Sequence, residues 1–377
     1  MITLQSRAHP EPSSVLADWL QLARSENIGP LTFHLLLKKY GTPSEALHAL
    51  PSLAAQGGLK RPLKRASRSA VDKEINEVYE FGAQLLTFED PLYPSLLKFV
   101  ESAPPLLTVK GQLDLLQKPT FAIVGARNAS AMGKKLAYTF AQGLGQEGWI
   151  IASGLARGID TYAHQGSLET GTIAVLAGGI DQIYPQENEE LHRQIEKEGV
   201  LIAESPFGTQ PQASLFPRRN RIISGVSRGT LVVEAALKSG SLLTATHTLE
   251  QGRDIFAIPG HPLDPRARGC NKLIKNGAIL VETLADILQE IYPDKVFIPF
   301  QEEIGFQESS PPLTLEKIRH FIYETLSFVP INVDEVIREC QLQASDVWSV
   351  LLEMEIAGRL ERHPGGKVSL KEDWKNE

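Results

Sequence analysis

The sequence FAIVGARNASAMGKKLAYTFAQGLGQEGWIIASGLARGID, residues 121–160, decides the fold of this chain. It begins with a short apolar run, which predicts a buried strand ending at Gly125. Apolar residues then recur at a spacing of four from Leu136 to Leu144, and this spacing places them on one face of a helix. A second apolar run, residues 149–152, predicts the next strand. Two parallel strands joined by a helix form a βαβ unit, from which a doubly wound sheet is built.

The alternation of apolar strand, Gly- or Ser-rich turn and helix continues beyond this unit to residue 292. Further strands are predicted at residues 173–176, 200–203, 231–233, 255–258 and 278–281. Such alternation is typical of an α/β fold, and it predicts a Rossmann-like, doubly wound and mostly parallel sheet. We assign residues 85–292 to this central domain.

Both turns of the first βαβ unit combine glycine with arginine. Gly125 is followed by Arg127, and the second turn contains Gly154, Arg157 and Gly158. The carboxyl ends of parallel strands meet at one edge of a sheet, where helix N-termini offer free N–H groups, so these turns predict a phosphate-binding site. The first turn is not the G-x-G-x-x-G dinucleotide fingerprint, because Arg127 stands in place of the second glycine. For either turn alone, the alternative is simple chain reversal.

The segment FPRRNRIISG, residues 216–225, is rich in arginine. Because Ile222 and Ile223 are expected to point into the core, the arginines must lie near a helix start. The helix dipole disfavours cations there by roughly a few tenths of a kcal/mol, and a bound anion would relieve that cost. The alternative is that the arginines form structural ion pairs with Glu204 or Glu234. The candidate anion-binding residues of this segment are Arg218, Arg219, Asn220 and Arg221.

Glu234 raises an enzymatic alternative. It follows a predicted strand and precedes a Gly-Ser helix start that contains the candidate contacts Ser239, Gly240 and Ser241. This arrangement resembles the phosphate-binding segment of nucleoside-monophosphate phosphoribohydrolases, in which a glutamate serves the glycosidic chemistry. The alternative function is therefore a nucleotide N-glycosidase. The P-G-G-x-G-T turn of those enzymes is replaced here, and no second acid lies at a suitable spacing, so Glu234 could instead anchor Arg221 or cap a neighbouring helix.

Residues 1–84 predict a small helical domain. The Ile-Gly-Pro sequence at residues 28–30, followed by a second helix and a Gly-Thr turn, resembles helix-hairpin-helix modules that hold nucleic-acid backbone. Plain helical packing is the alternative for such a short pattern. Basic residues between Lys60 and Arg68 are interpreted as a solvated helix face.

The C-terminal part begins after an acidic, proline-containing linker, residues 293–311. Residues 312–377 predict three amphipathic helices and a two-stranded wing, which together make a winged helix. This segment carries eight Lys and Arg against twelve Asp and Glu. Because phosphate contacts depend on positive charge, the balance favours a protein-contacting or regulatory role over duplex binding.

Composition restricts the cellular context and the chemistry. The 377 residues carry a net charge of −7 and two distant cysteines, Cys270 and Cys340, which form neither a disulfide framework nor a metal set. No signal peptide or membrane-spanning run is evident, so a cytoplasmic protein without membrane contact is expected. No catalytic triad or acid pair is evident either. His164 is interpreted as a surface or packing residue, and neither a cofactor nor a metal nor an enzymatic activity is expected.

The segments VGARNAS, SGLARGID, YPQEN, FPRRNRIISG, VVEAALKSGSL and IPG with the following GCNKLI together resemble the DNA-processing protein A (DprA/Smf) family. The resemblance covers the central domain in order. It also implies a sterile-alpha-motif-like N-terminal domain and a C-terminal winged helix. It implies a non-enzymatic protein that binds single-stranded DNA and forms a homodimer through its Rossmann-like domain. Such a protein would protect incoming DNA and help load the RecA recombinase in natural transformation and recombination.

The resemblance also implies particular DNA contacts. Gln186 of YPQEN occupies a position that is often basic in relatives, which implies weaker binding at that point. The contacts carried over by motif are Gly125, Arg127, Gly154, Arg157, Gly158, Arg219, Asn220 and Arg221.

Overall fold

The structure is a computed structural model, and it describes residues 14–56, 61–292, 315–340, 342–356, 359–363 and 366–371. These residues form an N-terminal helical domain, a central α/β domain and a C-terminal winged helix. The predicted linker, residues 293–311, lies outside the described residues. Within the described ranges, no helix is both long enough and apolar enough to cross a membrane.

In its described residues the N-terminal domain has four helices: α1 (Ser14–Ala23), α2 (Pro30–Tyr40), α3 (Pro43–Gln56) and α4 (Arg68–Glu80). Their apolar faces meet around Trp19 and Phe33, whose ring centroids are 5.1 Å apart. The same core continues onto the central sheet through residues such as Leu176. A hydrogen bond of 2.9 Å between His34 Nε2 and the carbonyl of Ala103 also joins α2 to the central domain. The helical domain therefore packs directly beside the sheet.

The central domain contains a nine-stranded sheet with seven helices. The strands are β1 (Gln84–Thr87), β2 (Leu106–Gly111), β3 (Thr120–Val124), β4 (Ile150–Ser153), β5 (Thr172–Leu176), β6 (Val200–Ala203), β7 (Gly229–Val232), β8 (Asp254–Ala257) and β9 (Ile279–Leu280). The helices are α5 (Ala131–Gln146), α6 (Ile159–Ser167), α7 (Glu189–Glu198), α8 (Leu215–Gly225), α9 (Ser241–Glu250), α10 (Arg268–Lys275) and α11 (Leu284–Ile291).

The strand order is β1-β2-β6-β5-β4-β3-β7-β8-β9. β1 pairs with β2 and β2 with β6 in antiparallel fashion, and the seven strands from β6 to β9 are parallel. Every residue of β3, β4 and β5 is buried, as expected for parallel strands covered by helices on both faces. The structure confirms the Rossmann-like, mostly parallel fold.

The strand order changes direction at β3. Ala122 of this strand pairs with Ala152 of β4 on one side and with Thr230 of β7 on the other. Connections on the two sides therefore run to opposite faces of the sheet, and the loops that follow β3 and β7 diverge. A crevice forms at such a topological switch point, where α/β proteins bind ligands.

The winged helix comprises α12 (Leu315–Thr325), β10 (Ile331–Asn332), α13 (Val333–Cys340), α14 (Ala344–Ile356), β11 (Leu360–His363) and β12 (Lys367–Leu370). Its core includes the buried residues Ile322, Val336 and Leu351. The sequence predicted the three helices and the two-stranded wing but not β10, which adds a third strand beside β12. An ion pair of 3.1 Å between Lys134 Nζ of α5 and Glu324 Oε1 of α12 joins this domain to the central one.

Candidate nucleic-acid interface

A cavity of about 600 Å³ lies at the switch point, bounded by the loops after β3, β4, β7 and β8, by α8 and by the N-terminus of α9. We call it the switch-point cavity. Its position follows from the topology, because the chain leaves β3 and β7 toward different faces of the sheet. The predicted site residues that line it are Gly125, Arg127, Arg219, Asn220, Ser239, Gly240 and Ser241.

The glycines of the two predicted phosphate turns allow these turns to pack against each other. Gly158 has φ +76°, and a Cβ there would lie 2.3 Å from the carbonyl oxygen of Ala126. A Cβ at Gly125 would lie 2.6 Å from Ile159 Cγ1. The amide of Ile159 donates to the Ala126 carbonyl at 3.2 Å. The turns after β3 and β4 thus form one continuous backbone surface beside the cavity.

Arg219 lies inside the protein, with 6% of its surface exposed. Its guanidinium donates to the carbonyl oxygens of Gly154, at 2.5 Å, and Val175. Gly154 directly follows β4, and Val175 is the second-last residue of β5. Burial lowers the pKa of Arg219 to about 10, opposed by the nearby Asp160 carboxylate. Both of the hydrogen bonds to these carbonyls come from Nη1, and Nε has no hydrogen-bond partner among the described residues.

Asp160 completes this buried network from the first turn of α6. Its carboxylate accepts hydrogen bonds from the amides of Gly154, at 3.1 Å, and Ala156, at 3.5 Å. Burial raises the pKa of Asp160, and the charge of Arg219 opposes that shift. Together the two side chains determine the conformation of the loop that carries Arg157.

The other residues of the arginine segment have separate environments, although they are neighbours on α8. Arg221 pairs with Glu204 at 2.5 Å, both largely buried, so the predicted alternative of a structural ion pair applies to Arg221. The amide of Asn220 donates to the Gly240 carbonyl at 3.2 Å and thereby joins α8 to the start of α9. Arg218 is exposed and borders a second cavity of about 280 Å³.

Two predicted arginines are exposed beside the switch-point cavity. The guanidinium of Arg127 lies 5.1 Å from the ring centroid of Phe216. Arg157 lies 3.5 Å from Glu187, and both side chains are more than half exposed, so this pair adds little stability. Gln186, predicted to weaken binding, is exposed and donates to Glu189 at 2.7 Å.

The start of α9 supplies hydroxyl and amide groups to the cavity. Ser239 Oγ and Ser241 Oγ are 2.7 Å apart, and Gly240 is the residue that precedes the helix. Sequence reasoning missed two basic residues of the same lining, Lys238 and Arg266. Lys238 could have been found from its place next to the Gly-Ser helix start. Arg266 gives no such signal, because it reaches the cavity only through a long loop after β8.

Glu234 caps the N-terminus of α5. Its carboxylate accepts hydrogen bonds from the amide of Ser130, at 2.9 Å, and from its hydroxyl, at 2.6 Å. The Ser130 hydroxyl accepts in turn from the Gly133 amide at 2.9 Å. A Cβ at Gly133 would lie 2.6 Å from the Glu234 carboxyl carbon, so a larger residue there would displace the capping carboxylate. The structure supports the capping alternative for Glu234, not the one that anchors Arg221.

His164 is a packing residue rather than a surface one. It is fully buried, its Nδ1 lies 2.7 Å from Thr172 Oγ1, and its Nε2 accepts from the Leu155 amide at 3.3 Å. Burial lowers the pKa of His164 to about 3, so the ring is neutral near pH 7. It therefore joins α6, β5 and the loop after β4 without carrying charge.

The fold and the site define a class of protein: a Rossmann-like domain with a basic switch-point cavity, flanked by a helical domain and a winged helix. The family model described as DNA recombination-mediator protein A matches residues 84–292. Models described as the DprA-like N-terminal HHH domain and the DprA winged helix domain match residues 14–76 and 307–366. The chain belongs to the DNA-processing protein A (DprA/Smf) family.

Individual relatives agree with this assignment. Protein Smf of Synechocystis sp. is 32% identical over 390 residues, covering 94% of this chain and 98% of the relative. The X-ray structure of DNA processing protein A from Streptococcus pneumoniae matches with a TM-score of 0.61 and 37% identity, over 73% of this chain and 97% of that one. The protein from Helicobacter pylori matches with a TM-score of 0.52 and 28% identity, over 56% and 97%, and its structure is described as showing a single-stranded DNA binding mode.

Proposed function

We propose that this chain binds single-stranded DNA at the switch-point cavity, protects incoming strands and helps load RecA in natural transformation and recombination in the cytoplasm. The observation that carries the proposal is the cavity itself, where exposed Arg127 and the N-terminus of α9 meet at the switch point. The binding of single strands by the Helicobacter pylori relative supports the choice of ligand. The description of the matching family as a recombination mediator supports the proposed step with RecA.

We propose two roles for the predicted site residues: the first group contacts DNA, and the second supports the surface that the first group forms. Arg127, Arg157 and Arg218 are exposed, and they supply positive charge to phosphates on the sheet edge. The amides and hydroxyls at Ser239, Gly240 and Ser241 supply a phosphate site at a helix N-terminus. The second group holds this surface in shape, partly from the cavity lining itself: Gly125, Gly154, Gly158, Arg219, Asn220 and Arg221.

We also infer a homodimer through the central domain. β9 ends the sheet, and it pairs on one side only within the described part of the chain. Leu280 of this strand is 43% exposed. An exposed apolar edge strand favours pairing with a second copy. Leu280→Asp is therefore expected to shift sedimentation from dimer to monomer, and a dimer that persists in this variant would contradict the assignment.

We propose that the chain acts without catalysing a reaction. Under the N-glycosidase alternative, Glu234 would have to assist departure of a base. In the structure both of its oxygens accept hydrogen bonds from Ser130, which supports a capping role instead. Incubation with the common nucleoside monophosphates is expected to release no free base. Base release that disappears in Glu234→Gln would favour the enzymatic alternative.

Fluorescence anisotropy with labelled single strands, duplexes and mononucleotides tests the proposal directly. We expect the single strand to bind most tightly, with an affinity that falls as salt concentration rises, because phosphate contacts release counterions. The proposed RecA step is tested by RecA filament assembly on strands covered by a single-strand-binding protein. Equal affinity for single strand and duplex would contradict the first part, and unchanged assembly would contradict the second.

A further inference from the structure

A further cavity, of about 300 Å³, lies at the edge of the central sheet where its parallel strands begin. We call it the amino-edge cavity. Its lining includes Thr120 at the start of β3, Trp149 just before β4 and Arg228 just before β7. The switch-point cavity lies where the same strands end. The two cavities are therefore at opposite edges of the sheet, and a ligand in one leaves the other accessible.

One wall of the amino-edge cavity comes from a short 3₁₀ helix, Ser95–Phe99, which a buried arginine holds in place. The guanidinium of Arg253 donates to the carbonyl oxygens of Leu96, at 2.7 Å, and Ser227, at 2.5 Å. Ser227 lies in the loop that precedes β7, so Arg253 ties the short helix to the sheet. This wall is therefore fixed before any ligand arrives.

The short helix also presents an exposed ring beside the cavity. Phe99 is 84% exposed, more than any other large apolar side chain of the described residues. Leu96 lines the cavity, and residues three apart in a 3₁₀ helix lie on the same side, about 6 Å apart along the axis. Aromatic side chains are enriched where proteins contact one another. The apolar surface thus continues from the cavity to Phe99, which suits a ligand longer than a small molecule.

The lining contains a buried donor without a partner. Trp149 is 2% exposed, yet its Nε1 has no hydrogen-bond partner among the described residues. Its ring packs near those of Phe121 and Tyr292, with centroids 6.2 and 6.0 Å away. A buried N–H group without an acceptor costs free energy, and an oxygen atom of a ligand would remove that cost.

The polar part of the lining is positively charged. Lys118 and Arg228 are exposed, and neither forms an ion pair with a described residue. Thr120 holds both in place, because its Oγ1 donates to the Lys118 carbonyl at 3.1 Å and its carbonyl accepts from the Arg228 amide at 2.8 Å. The lining includes no acidic residue, although the whole chain carries a net charge of −7. The cavity therefore favours an anionic ligand.

We propose that the amino-edge cavity binds the C-terminal residue of an acidic partner protein. The apolar side chain of that residue packs against Trp149 and Leu96. Its carboxylate lies between Lys118 and Arg228, and the acidic residues before it pass Phe99. In a polypeptide, only the C-terminal residue carries an apolar side chain and a carboxylate together, and capture of such carboxylates is a recurrent mode of peptide recognition. The inference adds a partner site that is separate from the proposed DNA site.

The test uses the full-length protein and a fluorescein-labelled hexapeptide of four aspartates, a leucine and a C-terminal phenylalanine. Anisotropy titration is expected to show saturable binding. Amidation of the C-terminal carboxylate, or serine in place of phenylalanine, is expected to weaken it roughly tenfold, the scale of one charged hydrogen bond or one buried ring. Absence of binding by the first peptide would overturn the inference, and so would equal binding of all three.

Matched variants locate the site. Lys118→Glu and Arg228→Glu each reverse an exposed charge at the cavity, and each is expected to weaken peptide binding roughly tenfold. Lys197→Glu makes the same change at an exposed position of α7 outside the cavity, and its affinity should stay within about twofold of the wild-type value, because distant charges are screened. Equal losses in the three variants would reduce the effect to net charge and contradict the site.

Titrations with single-stranded DNA separate this inference from the proposed function. Saturation with a single strand is expected to leave peptide affinity unchanged, because the two cavities lie at opposite edges of the sheet. Competition between strand and peptide would contradict that placement. Loss of strand binding in Lys118→Glu and Arg228→Glu, without peptide binding by the wild-type protein, would assign the surface to nucleic acid instead. Failure of the wild-type protein to bind the strand would overturn the proposed function alone.

Discussion

Three arginines of α8 that are close in sequence differ in burial and in their partners. Arg218 faces solvent, Arg219 is buried among backbone carbonyls, and Arg221 pairs with Glu204. Side chains one residue apart on a helix point about 100° apart, so a run of arginines cannot share one environment. The exposed ones are available to a ligand, and the buried ones hold the strand ends that form the site.

Arg127→Ala tests the exposed set. We expect single-strand binding to weaken by about 1–3 kcal/mol, because the variant loses a charge-assisted hydrogen bond in a shaped site. Anisotropy titration measures the change, and circular dichroism confirms the fold. Unchanged affinity in a folded variant would exclude Arg127 as a contact.

Arg219→Met tests the buried set. Removing this guanidinium leaves the carbonyls of Gly154 and Val175 without their donor and the buried Asp160 carboxylate without a nearby positive charge. We expect a loss of about 3–5 kcal/mol in the free energy of unfolding. Urea denaturation measures the loss. The matched variant Arg218→Met should change stability by only about 0.5 kcal/mol, since exposed substitutions away from special contacts have small effects. Similar losses in the two variants would contradict the different roles given to these neighbours.

At the scale of elements, the sequence predicted most of the fold but less of the site. Apolar runs and turns located the strands, and Gly125 and Arg127 lie where the βαβ pattern placed them. The pattern could not separate Arg219 from Arg218, because burial depends on the ends of β4 and β5, which are distant in sequence. The pattern also missed Arg266, because a long loop positions this residue. It missed β10 because a strand of two residues is too short to show the alternation of a strand.

The cap on α5 allows a test at this scale. In Glu234→Gln, the amide group can replace only one of the two accepting oxygens, so we expect about 1–2 kcal/mol of lost stability. DNA affinity should change only about threefold, or less than about 1 kcal/mol, because the carboxylate does not line the cavity. Urea denaturation and anisotropy titration measure the two effects. A large loss of affinity at unchanged stability would show that Glu234 contacts the ligand.

At the scale of the whole molecule, the winged helix is attached but acidic. The ion pair between Lys134 and Glu324 is partly exposed, and such pairs contribute about 0–1 kcal/mol. The sequence of this domain has more acids than bases, so it offers little attraction to phosphate. Both observations suit a domain that contacts other proteins or regulates the central domain.

Truncation near Pro311 tests this division. Because the removed segment is net acidic, we expect single-strand affinity to stay within about threefold of the full chain, or less than about 1 kcal/mol. The truncated protein should keep its helical signal and its dimeric mass. Loss of binding by such a folded, dimeric core would make the winged helix a primary DNA site.

The hydrogen bonds from Arg219 to the ends of β4 and β5 have a kinetic consequence. These hydrogen bonds are present without DNA, so the surface that receives the strand is preorganised. The conformational entropy lost on binding is therefore mainly that of the DNA. Association should then depend on how the strand is folded rather than on a slow rearrangement of the protein. Unstructured strands should associate at rates set by diffusion and electrostatic steering, and strands that form hairpins should associate more slowly, in step with hairpin opening.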